Sequence, residues 1–208
     1  MNTPSNVAPM KDLDPRMRAL VREEVERLLA ARSGESAKED LETRVTALER
    51  RAPQNKVSIV VFSDEMDKVL AAFAVASGAL AMDMEVSMYF TFWGLSAIRR
   101  ETHLDGKDFR QRMMGVFLPE NSRQMGLSKM NMLGLGPRMM RTMMREKNIT
   151  SLEEMRELVT EMGTRMIGCT MAMDLMGIKQ TELIPGVQLG GVATFMDEAL
   201  NSRLTLFL

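Results

Sequence analysis

The rhythm of apolar and polar positions changes near residue 55 and divides the chain in two. Before that point apolar residues are sparse and spaced as on one face of a helix. Met17, Val21, Val25 and Leu28 follow Pro15 at steps of four, four and three. Leu41, Val45 and Leu48 form a second stripe after the break "SGES" (33–36). Both stripes are narrow and flanked by charge, which predicts short coiled-coil or docking helices in an N-terminal extension over residues 1–52. A loosely held appendage fits the same pattern. "RAPQN" (51–55) reads as the linker to a domain over 53–208.

From Lys56 the texture is different. "KVSIVVFS" (56–63) is a β-branched apolar run, the signature of a strand buried on both faces. "SDEMDK" opens a helix that runs to about residue 82, with Ser63 or Asp64 as its cap. "EVSMYFTFWG" (85–94) predicts a second strand, and "GLSAIRRE" a helix that "LDGKDF" ends. "SLEEMRELVTEMG" (151–163) is an amphipathic helix, capped by Ser151, boxed by Glu154 and stopped by Gly163. "TRMIGC" predicts a third strand, "TMAMDLM" a short helix closed by Gly177, and "TELI" a fourth strand. "GGVATFMDEAL" predicts the last helix and "RLTLFL" (203–208) the fifth strand. Strands alternating with helices predict an α/β fold: a flavodoxin-like, five-stranded, mostly parallel sheet with helices on both faces. The expected strand order is 2-1-3-4-5. No G-x-G-x-x-G follows the first strand and no P-loop is present, which argues against the familiar nucleotide-binding loops.

Composition narrows the function. A net charge of -1 carries no global signal for nucleic acid. A single cysteine cannot form an internal disulfide, which excludes a disulfide-stapled secreted fold. The first twenty residues lack a long apolar core, so no signal peptide is expected and a cytoplasmic setting is. Residues 69–98 come nearest to a membrane span, but Asp83 and Glu85 cut them into pieces well short of the ~20 residues a span needs.

The lone thiol, Cys169, stands where the third strand meets a short helix, in "RMIGCTMAMDLMGI" (165–178). In the 2-1-3-4-5 order it would share the ligand crevice with Ser63 and Asp64, which end the first strand. Two readings stay open there: a small buried hydrophobe, and a reactive thiol whose pKa the following helix start lowers. Asp64, Thr91, Trp93 and Thr170 are the neighbours expected from strand-end position, with Ser63 and Gly168 lining the same site. His103, the only histidine, lies in the polar stretch "RRETHLDG" and supports no Cys–His pair. One Cys and one His cannot supply four soft zinc ligands, and without a resolving cysteine no dithiol cycle is available. Single-sulfur chemistry remains: persulfide, mixed disulfide or sulfenic acid. No metal and no cofactor are expected.

Methionine is over-used, at 23 residues, nine of them between Met113 and Met144. The surrounding segment, 110–147, holds eight Arg and Lys against two Glu. In "PRMMRTMMREK" (137–147), Met139, Met140, Met143 and Met144 share one helix face, with Arg138 and Arg141 beside them. Adaptable thioethers next to positive charge suit a partner-docking face. A packed insertion, a lid, and Cu(I) bound through thioethers are the other readings, the last weakened by how few M-x-x-M repeats there are.

Several long stretches resemble the DsrE/DsrF/DsrH-like sulfur-relay family, and within it a longer, Met-rich branch. They are "FSDEMDKVLAAFAVASGA", "MEVSMYFTFWGL", "GLSKMNMLGLGPRMM", "GCTMAMDLMGI" and "ELIPGVQLGGVATFM", together covering roughly 56–208. The resemblance implies a flavodoxin-like domain that assembles into oligomers. It also implies a sulfur-accepting cysteine, here Cys169, that carries persulfide or thiosulfonate. Its implied partners are a TusA-like sulfur carrier or a rhodanese. Some members carry a second cysteine; this chain has one, which points to a carrier. The expected function is therefore a sulfur-carrier or sulfurtransferase-like protein. The alternative is a non-catalytic oligomeric protein that docks a partner or a membrane surface through the Met-rich segment.

Overall fold

A computed structural model describes residues 14–32, 40–47, 53–103, 106–111, 113, 118–119, 121–129 and 131–208. The break at 33–36, Leu48, the start of the linker, Met114 and Met130 lie outside the described residues. The chain forms two compact units, Met1–Ala52 and Pro53–Leu208. In the first, helix α1 spans Pro15–Arg32 and a second helix, α2, spans 40–47. Val21 and Val45 of the apolar stripes are half-buried, and the other side chains described there are exposed.

The second unit is built on five strands, all parallel: β1 (Gln54–Val61), β2 (Glu85–Phe90), β3 (Arg165–Cys169), β4 (Gln188–Gly190) and β5 (Ser202–Phe207). Helix α3 (Met66–Leu80) joins β1 to β2, and α4 (Leu135–Glu146) and α5 (Leu152–Glu161) stand between β2 and β3. Helix α6 (Thr170–Met176) follows β3, and α7 (Val192–Leu200) precedes β5. Successive residues of a strand point to opposite faces. The ring of Phe90 packs on Phe73 of α3 at 6.2 Å, while Tyr89 stacks on Phe195 of α7 at 5.2 Å. Helices therefore cover both faces, and the domain is α/β, with the three-layer architecture of flavodoxin-like folds. Ala72, Phe73 and Ala76 of α3, with Ile59, Met88 and Phe90, have no exposed surface at all.

The strand order differs from the expected 2-1-3-4-5: it is β4-β3-β2-β1-β5. Four strands succeed each other across the sheet, and the chain then returns to lay β5 on the far side of β1. Strands β1, β2 and β3 are runs of apolar residues that any neighbour can bury, so local sequence does not specify which neighbour each receives. The consequence for the site is direct: β2 lies between β1 and β3.

Three boundaries also move. The second strand ends at Phe90, because the chain folds into a 3₁₀ turn over Phe92–Ile98. Gly94 is pressed against the end of β1 there, and a Cβ on it would stand 2.1 Å from the Val61 carbonyl oxygen. The fourth strand is Gln188–Gly190, not "TELI". In that segment Glu182 is drawn into an ion cluster and Leu183 makes only an isolated antiparallel bridge to Arg99. The cap of α3 is Glu65 rather than Ser63 or Asp64, and its amide donates to Ser63 Oγ at 3.1 Å. The box on α5 matches expectation: Glu154 N–H donates to Ser151 Oγ, and the Ser151 amide to Glu154 Oε2 at 2.8 Å.

Candidate functional site

Strand β3 is five residues long, and its first residue and its last share a face. Tyr89 pairs with Ile167, and Phe90 with Gly168. Cys169, two residues beyond Ile167, therefore faces the same way as Tyr89 and Thr91. Diagonal neighbours on adjacent strands lie within reach of long side chains. The thiol is fully buried. Burial by itself pushes its pKa up, but the Thr91 hydroxyl, the Tyr89 hydroxyl and the amides of Ala172 and Met171 outweigh it, and the net shift is downward. Tyr89 moves the other way. Burial, and then the neighbouring Cys169, raise the pKa of its phenol, so of the two it is the cysteine that gives up its proton. Among the described residues, none of the groups that shift this thiol's pKa is a positively charged side chain.

The expected neighbours divide. Thr91 is almost fully buried, and its hydroxyl lowers the pKa of the thiol. Gly168 and half-buried Thr170 flank Cys169 in the chain, and Gly168 lies under Met173 Sδ, which a Cβ would approach to 3.4 Å. Ser63 and Asp64 do not share its crevice. They follow β1, and with β2 intervening that strand lies roughly 10 Å from β3 at ordinary strand spacing. Trp93, 40% exposed, is not among the thiol's partners. His103 stands beside Glu101 at 3.4 Å, likewise apart from those partners. Sequence reasoning missed Tyr89. Its parity with Thr91 in "EVSMYFT" was readable, but not which strand that face would meet.

Asp64 instead lines a separate cleft of about 710 Å³, with Arg123, Pro137, Arg138 and Arg141 around it. Burial, with Glu65 adding to it, raises the Asp64 pKa against the opposing backbone hydrogen bond and Lys68. In the Met-rich helix α4, Met139, Met140 and Met143 are exposed, as is Arg138. Two residues expected on that face are engaged elsewhere. Met144 is turned into the domain. Arg141 donates to the carbonyls of Ser122 and Arg123 at 3.0 and 3.1 Å and pairs with Glu153 at 3.4 Å. A helix has only one outward side, and that side carries 139, 140 and 143.

Two carboxylates are buried among cations. Glu182 accepts from Arg99 Nη2 at 2.6 Å and meets Lys107 Nζ at 2.5 Å, all three side chains being essentially without exposure. Glu198 of α7 receives Lys56 from β1 and Arg165 from β3. Among the described residues no group of three or more His, Cys, Asp and Glu side chains could hold a metal ion. No described helix is long and apolar enough to cross a membrane.

Residues 53–207 match the DsrE/DsrF/DrsH-like family. The chain is 38% identical over 154 residues to the uncharacterised protein YrkE of Bacillus subtilis, covering 74% of this chain and 96% of that one. It is 32% identical over 161 residues to the sulfur carrier protein DsrE2 of Allochromatium vinosum, covering 74% and 99%. Among solved structures it is similar to the YchN protein of E. coli, with 14% identity, 74% and 98% coverage and a TM-score of 0.44. A match spanning nearly the whole of the second unit, together with a relative of almost the same length as that unit, places the chain in the DsrE/DsrF/DrsH-like family.

Proposed function

We propose that the chain works in sulfur relay as a carrier, with Cys169 taking up sulfane sulfur, holding it as a persulfide and passing it to an acceptor thiol. Membership of the family and likeness to a sulfur carrier protein support the reading. The observation that carries it is the thiol itself: the one cysteine of the chain is ringed by hydrogen-bond donors that favour its thiolate. The thiolate is the nucleophile in sulfur exchange.

In the step, Cys169 thiolate attacks the outer sulfur of a donor persulfide. A new S–S bond forms as the donor's S–S bond breaks. The electron pair leaves on the donor sulfur, which takes up a proton. The transferred sulfur keeps its oxidation state, so no external oxidant or reductant enters. Delivery is the same reaction with Cys169 as donor. Full burial keeps water and stray thiols from the loaded sulfur, and it requires the cover over Cys169 to open at each transfer. Exposed Met139, Met140 and Met143 beside Arg138 suit a protein acceptor, because thioethers adapt to varied surfaces and the charge steers an acidic partner. A TusA-like carrier or rhodanese as that partner, self-association and a cytoplasmic setting belong to the same proposal.

The test is intact mass after exposure to a small sulfane-sulfur donor. Wild-type protein should gain one sulfur atom and lose it to reductant, and Cys169→Ser should gain none. A wild-type protein that stays at its starting mass, with Cys169 shown to be reduced, would end the carrier reading.

A further inference from the structure

The Tyr89 hydroxyl is out of place for a core group. The residue is 4% exposed and its ring is stacked on Phe195, yet its oxygen completes no well-aligned hydrogen bond in the folded chain. Buried hydroxyls are nearly always paired, because an unpaired one loses its water partner and gains nothing in return. The β2–β3 register shows where this oxygen belongs. Tyr89 sits opposite Ile167, one diagonal step from Cys169, and on the same face. A tyrosine is longer than needed to fill that face: phenylalanine would make the same stack.

We propose that Tyr89 is the anion-holding residue of the sulfur site, its buried phenol donating to the Cys169 sulfur as thiolate and, after loading, to the terminal sulfur of the persulfide. The second half of this statement rests on the carrier reading; the first does not. A persulfide places its charge one bond further out than a thiolate does, so a donor approaching from the neighbouring strand is better placed for it than one bound to the cysteine's own backbone. The phenol keeps its proton through the pH range in which the sulfur ionises, since its own pKa is raised and that of Cys169 is lowered. It therefore donates and does not compete for charge. The ligand class this selects is a singly charged, polarizable sulfur anion.

Tyr89→Phe tests this, because it keeps the ring and its stack and removes a single oxygen. The rate of thiol alkylation is followed against pH in wild-type, Tyr89→Phe and Ser87→Ala proteins. Ser87 is the control, a buried hydroxyl on the same strand face with no partner of its own. The Phe variant should shift its midpoint upward and react about tenfold more slowly at neutral pH, the worth of one hydrogen bond to a charged group. The Ala variant should follow wild type. An unchanged profile in Tyr89→Phe, with the fold intact by circular dichroism, overturns the proposal. Loaded Tyr89→Phe should also lose its sulfur to excess small thiol faster than loaded wild type. If wild type never loads, the carrier reading falls alone, and the alkylation profile still decides whether Tyr89 holds the thiolate.

Discussion

The two ends of strand β3 hold anions in opposite ways. Arg165 at its start reaches the buried carboxylate of Glu198, which Lys56 approaches from the other side. Cys169 at its end, about 13 Å away by strand rise, has its pKa lowered by two hydroxyls and two amides, with no cation among the described residues contributing. The first arrangement is a clamp: full charges on β1, β3 and α7 fix three elements against each other. The second is a tuned site, in which neutral donors stabilise a negative sulfur without matching it to an ammonium or guanidinium that would have to be displaced in each transfer. A group that must react is better held by dipoles; a group that must never move is better held by charge.

The sharpest way to break this comparison is Glu198→Ala. Removing one partner of a buried ion pair strands the other, at a cost of about 3–5 kcal/mol. Because Arg165 is partly exposed and can rehydrate, the loss should lie toward the lower end, a fall of several degrees in melting temperature. Thermal unfolding checks it; a shift too small to measure would mean that the cluster is not a clamp.

A smaller effect on stability, but a larger one on chemistry, is expected at the other end. Thr91→Val is nearly equal in volume and removes one neutral donor. Stability should change by about 1 kcal/mol or less. The thiol pKa, held below its ordinary value in part by this hydroxyl, should rise. The thiolate fraction at neutral pH falls in consequence, and alkylation slows. An unchanged alkylation rate would remove Thr91 from the site. The smallest effect is expected where neither end is touched. Deleting residues 1–52 should leave the melting temperature and the alkylation profile of 53–208 close to those of the full chain, because every described strand lies within the second unit. Aggregation of the shortened protein would show that the helices cover part of it.

Much of the fold could be read along the chain. The strands β1, β2, β3 and β5 declare themselves as apolar, β-branched or aromatic runs. The α5 box is a local code of two residues, Ser151 and Glu154. Strand β4 could not be read, since "QLG" is three residues with no β-branched side chain and is made a strand only by pairing with Ile167, Gly168 and Cys169. The order of the sheet is a property of distant pairs and leaves no local trace. The site inherited that gap. Cys169 was singled out by being the only thiol, and Thr91 by its strand-end position. Ser63 and Asp64 were brought in by a topology the chain does not adopt, and Tyr89 was left out for the same reason. In the Met-rich helix the sequence shows four methionines on one face, but only packing turns Met144 inward.

The placement of β1 between β2 and β5 also sets the order in which the protein can be made. Ser58 and Ser202, 144 positions apart, meet across this seam with their hydroxyls 2.8 Å from each other. At synthesis rates of roughly 5–20 residues per second, β1 leaves the ribosome on the order of ten seconds before its second partner exists. Throughout that interval "VSIVV" is an open edge of the kind that recruits foreign strands. The sheet closes on this side only when β5 arrives, so the nascent domain is most vulnerable just before that strand is made.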